Sequence, residues 1–137
     1  MKNVRTVKFN ALGNETGYLT PIEGNKDVDF DIKRIYYIYK VADGQRRGFH
    51  AHQDLKQVLI CVKGKVDILV RTPFESSVIT LDSPDTGLFI GDMIWREMFN
   101  FSEDAVLLVL ANKTFSEDDY IKEYKTYCAI AKKYFGE

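Results

Sequence analysis

The sequence predicts a mainly β domain, a sandwich or barrel of short strands followed by one C-terminal helix. Short apolar or alternating runs recur with turn residues about every 8–12 positions, which is typical of all-β sandwiches and barrels. Helical spacing of apolar residues is confined to the C-terminal end. The chain has 137 residues, of which 45% are hydrophobic, so its length and composition fit a single domain with one buried core.

The overall charge argues against a nucleic-acid partner. The chain carries 19 basic and 20 acidic residues, whereas nucleic-acid binding usually shows as a basic excess. A local basic pocket for one phosphate ligand remains compatible with this balance. No apolar run approaches the ~20 residues of a membrane helix, and no signal-peptide segment is recognisable. We therefore expect a cytoplasmic protein without a membrane partner, whose Cys61 and Cys128 are free thiols.

The strands follow from local patterns of polarity and turn residues. The run over 34–39 is rich in tyrosine and isoleucine, which favour strands, and its alternation places Arg34 and Tyr36 on one face. Pro21 marks 18–22 as an edge strand, because proline cannot donate to a ladder. The other predicted strands cover 4–9, 47–52, 58–62, 66–70, 78–81, 87–90, 93–98 and 105–110.

A C-terminal helix is predicted over about 116–135. Ser116 is a suitable N-cap, and the three acidic residues after it favour the positive end of the helix dipole. We expect the apolar face of this helix to pack on the sheets or on a second subunit. That face consists of Tyr120, Tyr124, Tyr127, Cys128, Ala131 and Tyr134.

The residues with the clearest chemical potential lie at 47–52, where the only two histidines, His50 and His52, stand two apart. Residues at i and i+2 of a strand point to the same face, so both imidazoles are expected to enter one cavity. Gly48 permits a β-bulge, and only such a bulge would turn Arg47 towards the histidines. A pair of histidines on a solvated face is the alternative, but the density of polar groups favours a site.

This spacing resembles the motifs of the cupins, a family of jelly-roll barrels, and implies a cupin-type jelly-roll barrel here. The first cupin motif, Gly-x5-His-x-His-x4-Glu-x6-Gly, fits Gly44, His50, His52, Gln57 and Gly64. The second, Pro-x-Gly-x2-His-x3-Asn, maps onto Gly91, Met93, Arg96 and Asn100, so only its asparagine is kept. The spacing is kept, but the metal ligands are not.

Two of the four positions that bind metal in cupins have changed. Gln57 replaces the glutamate and is a weak ligand for a transition metal. Arg96 replaces the third histidine, and because arginine stays protonated it has no lone pair to donate to a metal. We therefore predict a pocket without a metal, in which Arg96 places a positive charge.

Longer runs resemble the dTDP-4-keto-6-deoxy-D-glucose 3,4-ketoisomerases of bacterial deoxyaminosugar pathways. The resemblance implies a dTDP-linked 4-keto-6-deoxyhexose as substrate, no cofactor, and a homodimer whose N-terminal strands are exchanged between subunits. It also implies that His50 is the catalytic base, that Tyr36 is the active-site tyrosine and that Arg47 contacts phosphate. The matching runs are 19–24, 30–38, 47–52, 57–61, 95–98 and 118–121, which together span nearly the whole chain.

Moving a ketone from carbon 4 to carbon 3 passes through an enediol and needs two proton transfers. An imidazole suits this work because its ordinary pKa of ~6.5 lies near neutral pH. Our hypothesis is that His50 moves the carbon-bound proton, while His52 orients the sugar or relays the proton between the oxygens. Tyr36 and Arg96 would donate to the developing oxyanion. Candidates for binding the rest of the substrate are Arg34, Arg47, Gln57 and Thr16.

Several alternatives stay open at this point. Arg34 can instead form a surface ion pair with Asp31 or Glu23. In the resembling family, arginine at the position of Arg96 tends to accompany the gluco product, but Thr16 replaces an arginine or tyrosine and weakens that preference. A 3,5-epimerase-like enzyme, a metal-dependent cupin enzyme and a non-catalytic sugar-binding cupin remain competing functions.

Overall fold

Two five-stranded antiparallel sheets form the body of the molecule. A computed structural model describes residues 1–136. The strands of the first sheet are β1 (Val4–Lys8), β4 (Arg34–Tyr39), β6 (Gln57–Lys63), β9 (Thr86–Ile90) and β11 (Val106–Ala111). The strands of the second are β5 (Arg47–His52), β7 (Val66–Arg71), β8 (Ser76–Leu81), β10 (Trp95–Phe99) and β12 (Tyr120–Ile121).

The strand order is β1-β9-β6-β11-β4 in the first sheet and β12-β5-β10-β7-β8 in the second. The predicted mainly β, jelly-roll class is confirmed, as a sandwich in which no ladder among the described strands closes the two sheets into a barrel. Alternating side chains of β7 and, from β6, Leu59 and Cys61 point into the main core between the sheets, whereas Val58 and Ile60 on the other face of β6 pack in a second cluster. Of the residues described, none belongs to a helix with the length and apolarity needed to cross a bilayer.

The outer face of β4 is apolar and uncovered. Inward-facing Tyr36 packs against the core, whereas Ile35, Tyr37 and Tyr39 are 59%, 60% and 56% exposed. This strand is an edge of its sheet, and it shows the alternation that the sequence predicts. Large apolar side chains left in water on one strand mark a candidate interface.

A short hairpin near the N-terminus also exposes apolar side chains. Strands β2 (Leu12–Asn14) and β3 (Gly17–Leu19) pair only with each other among the described strands. The strand predicted over 18–22 corresponds to β3, which begins one residue earlier, at Gly17, and ends at Leu19. The sequence does not predict its partner, β2. Leu12, Tyr18 and Leu19 are all more than half exposed.

A β-bulge in β5 turns the start of that strand, as Gly48 predicts. His50 opposes Arg96 on β10 and Gly48 opposes Glu97, so Phe49 is the extra residue. Gly48 has φ +96°, and a Cβ there would lie only 2.8 Å from the carbonyl oxygen of Arg96. Directly opposed residues share a face, and beyond the bulge the partner of Arg47 is the buried Met98. Arg47 therefore lies on the same face as His50.

The C-terminal helix begins later than predicted. Helix α1 spans Tyr124–Gly136, and Glu117–Asp119 forms only one 3-10 turn. Within residues 1–136, Ser116 makes no side-chain capping hydrogen bond. The chain after it instead pairs with the end of β5, opposite His52 and Ala51, because ladder formation satisfies backbone groups that a helix start would leave open. The helix packs on the second sheet through the fully buried Tyr127 and Ala131.

Candidate active site

The two histidines of β5 face the same cavity, as the sequence predicts. Their ring centroids lie 4.9 Å apart with planes at 81°. The Tyr120 ring completes the cluster, with its centroid 4.9 Å from that of His50 and 4.4 Å from that of His52. Tyr120 reaches this position because β12 pairs with β5.

His52 is buried and held by a carboxylate. Its Nδ1 lies 2.9 Å from Oδ2 of Asp119, so Nδ1–H donates to the carboxylate. Nε2 of His52 is buried and has no hydrogen-bond partner among the described residues. The Asp119 charge favours protonation of His52, but burial acts more strongly in the opposite direction, together with the positive charge of Arg96. The pKa of His52 is therefore lowered and the ring is neutral at pH 7.

His50 is also a neutral base. Its Nδ1 lies 3.1 Å from the carbonyl oxygen of Gly48, so Nδ1–H donates to that oxygen and Nε2 keeps its lone pair. Burial, followed by the charge of Arg96, lowers the pKa of His50 to about 4. Two imidazoles with available Nε2 lone pairs thus stand side by side at neutral pH.

Arg96 brings an unneutralised positive charge beside them. The guanidinium is 2% exposed, and no salt bridge to a carboxylate is found for it in the described residues. Its Nη1 donates to Oε1 of Gln57 at 2.7 Å, and Nε donates to the Ile94 carbonyl oxygen at 3.2 Å. Nη2 has no partner in residues 1–136. Burial lowers the pKa of Arg96 to about 10, so it stays protonated at pH 7.

A row of polar groups links Arg96 to Tyr36. Nε2 of Gln57 donates to the Tyr36 hydroxyl at 3.2 Å, while its Oε1 accepts from Arg96. Gln57 is 1% exposed, so it supports its two neighbours from within the fold. A negative oxygen placed near this row would meet hydrogen-bond donors in a buried site, where weak screening by water makes such contacts strong.

Arg34 lies against aromatic rings, and no ion pair engages it in residues 1–136. Its guanidinium carbon is 5.5 Å from the Tyr36 ring centroid and 5.7 Å from that of Phe115. The predicted alternative is wrong, because Asp31 pairs with Lys33 and Glu23 pairs with Lys26. Arg34 instead lines a cavity of about 370 Å³ together with His52, Asp119 and Tyr120, among others.

Arg47 and its neighbour Arg46 have different surroundings. Arg46 forms a salt bridge of 2.7 Å with Glu97 and lies over the Phe99 ring, so it is already engaged. Arg47 is exposed, and among the described residues no salt bridge or side-chain hydrogen bond engages it. The bulge thus leaves Arg47 available at the rim of the histidine face.

Thr16 is not brought to the other site residues within one chain. It lies in the exposed turn between β2 and β3, where its hydroxyl donates to Oδ1 of Asn14 at 2.6 Å. In the part of the chain that the structure describes, no hydrogen bond or ring contact joins Thr16 to the histidines, Tyr36 or Arg96. A role for Thr16 therefore requires a second subunit.

Sequence reasoning missed two residues of this cluster, Asp119 and Tyr120. Both were assigned to the first turn and the apolar face of a helix that does not form there. The run 118–121 already belonged to the family resemblance, and that run was the available signal. The role of each residue became visible only through the pairing of Tyr120 with His52.

The residues at the former cupin metal position do not form a metal-binding group. In residues 1–136, no cluster of three or more histidine, cysteine, aspartate or glutamate side chains is arranged to hold an ion. The one carboxylate beside the imidazoles, that of Asp119, already accepts from His52 and from the backbone N–H of Asp54. The pocket without a metal stays a prediction.

Comparison with known proteins assigns the chain to a family. Residues 2–132 match the family model described as FdtA: WxcM-like, C-terminal. The chain belongs to the FdtA family. This FdtA-family chain is 40% identical over 133 residues to the TDP-4-oxo-6-deoxy-alpha-D-glucose-3,4-oxoisomerase of Aneurinibacillus thermoaerophilus, which covers 97% of this chain and 93% of the relative. The resemblance found in the sequence is thereby confirmed.

Solved structures of FdtA-like proteins superpose closely. One is a histidine-to-asparagine mutant of the 3,4-ketoisomerase QdtA from Thermoanaerobacterium thermosaccharolyticum in complex with TDP-4-keto-6-deoxyglucose. It has a TM-score of 0.98 and 49% identity, and covers 100% of this chain and 99% of that chain. Another is the WlaRB TDP-quinovose 3,4-ketoisomerase from Campylobacter jejuni, with a TM-score of 0.90 and 41% identity, covering 94% and 99%.

Proposed function

We propose that this FdtA-family protein is a dTDP-4-keto-6-deoxyglucose 3,4-ketoisomerase, which moves the ketone from carbon 4 to carbon 3. The observation that carries the proposal is the pair of imidazoles, 4.9 Å apart, beside the buried Arg96, for which residues 1–136 hold no carboxylate partner. The 3,4-ketoisomerase activity of relatives 40% to 49% identical supports it. A ketone at carbon 3 is what amination at that carbon requires, so the product would serve synthesis of a dTDP-3-amino-3,6-dideoxyhexose.

In this mechanism His50 removes the proton from carbon 3 through Nε2. The electrons of the broken C–H bond form the carbon 3–carbon 4 double bond, and the former ketone oxygen becomes negative. Arg96 and Tyr36 donate hydrogen bonds to that oxygen. His52 moves the hydroxyl proton of oxygen 3 to oxygen 4, and protonated His50 returns its proton to carbon 4. Each histidine is restored, so no cofactor is consumed.

The direct test follows the sugar by NMR. dTDP-4-keto-6-deoxyglucose incubated with the protein is expected to show loss of the carbon 4 carbonyl signal and growth of a carbon 3 carbonyl signal. Unchanged substrate at high enzyme concentration would contradict the proposal. Epimerisation at carbon 3 or carbon 5 without ketone migration would instead identify an epimerase.

We propose the gluco configuration at carbon 4 of the product. Arg96 opposes His50 across the ladder, so its charge lies beside the base that is proposed to protonate carbon 4. The similar WlaRB protein acts on a sugar named TDP-quinovose, which is 6-deoxyglucose. In the NMR test, a large coupling between H4 and H5 is expected, and a small coupling would indicate the galacto product.

The rate is expected to stay level to unusually low pH. Because burial and Arg96 lower the pKa of His50 to about 4, the neutral base persists below the ordinary histidine pKa. We expect kcat/KM to be flat from pH 8 to about 5 and to fall about tenfold per pH unit below about 4. In Arg96→Gln the acidic limb should move to higher pH, since one source of the lowered pKa is removed. An acidic limb near pH 6.5 in the wild-type kcat/KM profile would contradict the assignment of His50, with its lowered pKa, as the base.

We propose a homodimer in which the β2–β3 hairpin of one subunit covers the partner. Two exposed apolar surfaces support it, the outer face of β4 and the hairpin side chains. Exchange of N-terminal strands would also bring Thr16 towards the partner's histidine pocket, which one chain alone does not achieve. Arg34 and Arg47 are then placed to contact the pyrophosphate from the rim of the same pocket.

A lysine on the outer face of β4 is expected to prevent dimerisation. Tyr37 is 60% exposed in one chain, and burial of a lysine in its place would desolvate an unpaired charge. Light scattering after size-exclusion chromatography should show a dimer for wild type and a monomer for Tyr37→Lys. Val78→Lys is the matched control, because Val78 is 53% exposed on β8, an edge of the other sheet. A dimeric Tyr37→Lys protein would show that the outer face of β4 is not the dimer interface.

A further inference from the structure

We propose that Asp119 is a positioning residue of the ketoisomerase reaction: it fixes the tautomer of His52 with the proton on Nδ1, and so keeps Nε2 as the base for the oxygen-bound proton. The inference rests on the proposed function for its kinetic consequence. Its structural part, the tautomer of a buried ring, is independent of any reaction.

The first support is the way in which the carboxylate is itself held. Oδ1 of Asp119 accepts the backbone N–H of Asp54 at 2.8 Å, which leaves Oδ2 for Nδ1 of His52 at 2.9 Å. The backbone carbonyl of Asp119 accepts from the N–H of Gln53, and the next residue, Tyr120, pairs with His52 in the ladder. The carboxylate therefore has one orientation relative to the imidazole.

The second support is the state of the opposite ring nitrogen. Nε2 of His52 is buried without a partner among the described residues, on a ring that is 1% exposed. A buried polar atom without a partner is rare, and such an atom in a cluster of ionisable groups commonly serves the chemistry. A lone pair on Nε2 is ready to accept a proton, whereas an Nε2–H would be a buried donor.

The charged and titratable groups around the ring agree with this tautomer. Arg96 on β10 and Arg34 on β4 bring positive charge near His52, and His50 on β5 is neutral. Positive charge disfavours a second proton on the ring. The Tyr120 ring covers one side of His52. Of these neighbours only Asp119 offers a carboxylate to Nδ1–H. Asp119 is therefore the group that favours the neutral tautomer with its proton on Nδ1 over the one with its proton on Nε2.

A purely structural role for Asp119 can be separated from this one. Asp119→Asn keeps an oxygen for the Asp54 N–H, so the turn keeps its anchor. The amide nitrogen then faces Nδ1 of His52 and donates to it, which requires Nδ1 to be unprotonated. The proton of the neutral ring must move to Nε2, and the base towards the substrate is lost. A structural role predicts no such change.

The tautomer is measured directly by nitrogen NMR. The chain has only two histidines, so a protein labelled with ¹⁵N-histidine gives two rings, and His50→Asn assigns them. For wild type we expect Nδ1 of His52 in the protonated range and Nε2 in the unprotonated range, and for Asp119→Asn the reverse. A wild-type His52 protonated on Nε2 overturns the proposal, as does an unchanged tautomer in Asp119→Asn.

The kinetic test compares three variants with wild type. Asp119→Asn is expected to lower kcat by about 10²–10³-fold, the range typical of losing a general base, with KM changed by less than about threefold. Asp119→Glu restores a carboxylate and should recover at least about a tenth of the wild-type kcat. Glu117→Gln is the matched control, because Glu117 is exposed on the same 3-10 turn and outside the cavity lining, and it should keep wild-type kcat. Thermal unfolding of each variant checks that the fold is intact.

The two parts of the proposal fail in different ways. If wild type does not isomerise dTDP-4-keto-6-deoxyglucose, the proposed function is wrong, while the NMR experiment still decides whether Asp119 sets the tautomer. If Asp119→Asn reverses the tautomer and keeps full kcat, Asp119 is not a positioning residue. Should Asp119→Asn not fold, the wild-type spectrum and Asp119→Glu, which is expected to keep Nδ1 protonated, decide the outcome.

Discussion

Replacement of His50 by asparagine is expected to lower kcat by at least about 10³-fold and to leave the affinity for dTDP unchanged within about threefold. The side chain of asparagine is polar and fits the site, but it cannot take up the proton of carbon 3. The contacts that bind the nucleotide lie elsewhere, with Arg34 and Arg47 as candidates. NMR of the sugar gives the turnover, and titration calorimetry with dTDP gives the affinity.

The matched control changes the neighbouring residue in the same way. Phe49 is 45% exposed and has φ +60°, a conformation that asparagine adopts readily, so Phe49→Asn should preserve the bulge and near wild-type kcat. Full activity of the His50→Asn protein would show that His50 is not the base that takes the carbon 3 proton. A loss of dTDP affinity of more than about tenfold would show that His50 serves binding and not proton transfer.

Replacement of Arg96 by methionine is expected to lower kcat by about 10²–10³-fold without destabilising the fold. Methionine removes the donor that faces the developing oxyanion. It also removes a fully buried charge that has no carboxylate partner among the described residues, and burial of an unpaired ion costs several kcal/mol. The stability gained by no longer burying this charge offsets the loss of the hydrogen bonds to Gln57 and to the Ile94 carbonyl, which contribute about 1–3 kcal/mol each.

Denaturant unfolding distinguishes this expectation from ordinary core damage. We expect the free energy of unfolding of Arg96→Met to lie within about 1 kcal/mol of wild type or above it. Met98→Ala is the control on the same strand and face, where truncation of a buried side chain should cost about 2–5 kcal/mol. A loss above about 3 kcal/mol in Arg96→Met would show that Arg96 is retained for stability.

The elements that the sequence predicted well are those whose signal is local. The alternation over 34–39 gave the inward face of Tyr36 and the exposed face of Tyr37, because side-chain direction in a strand depends only on its period of two. The two histidines were placed together for the same reason. Gln57 and Arg96 stand at cupin positions, and their chemistry as non-ligands follows from residue type alone.

The elements that the sequence missed depend on contacts with distant parts of the chain. Ser116 and the acidic residues after it form a credible local helix start, yet pairing with β5 draws Tyr120 and Ile121 into a strand. Tertiary pairing of this kind overrides a capping preference worth about 1 kcal/mol. Thr16 lies in an exposed turn and bonds Asn14, and the proposed role for it depends on a partner subunit, which no pattern within one chain describes.

Sequence patterns were sufficient to predict the mainly β class, the paired imidazoles on one strand face and the guanidinium in place of a metal ligand. These features follow from strand periodicity and from side-chain chemistry. Folding adds three features: in residues 1–136 no carboxylate pairs with the buried Arg96, the bulge turns the exposed Arg47 to the histidine face, and Asp119 holds His52. The physical reason is distance along the chain: Asp119 and His52 are 67 positions apart, and only the folded sheet brings them within hydrogen-bonding distance.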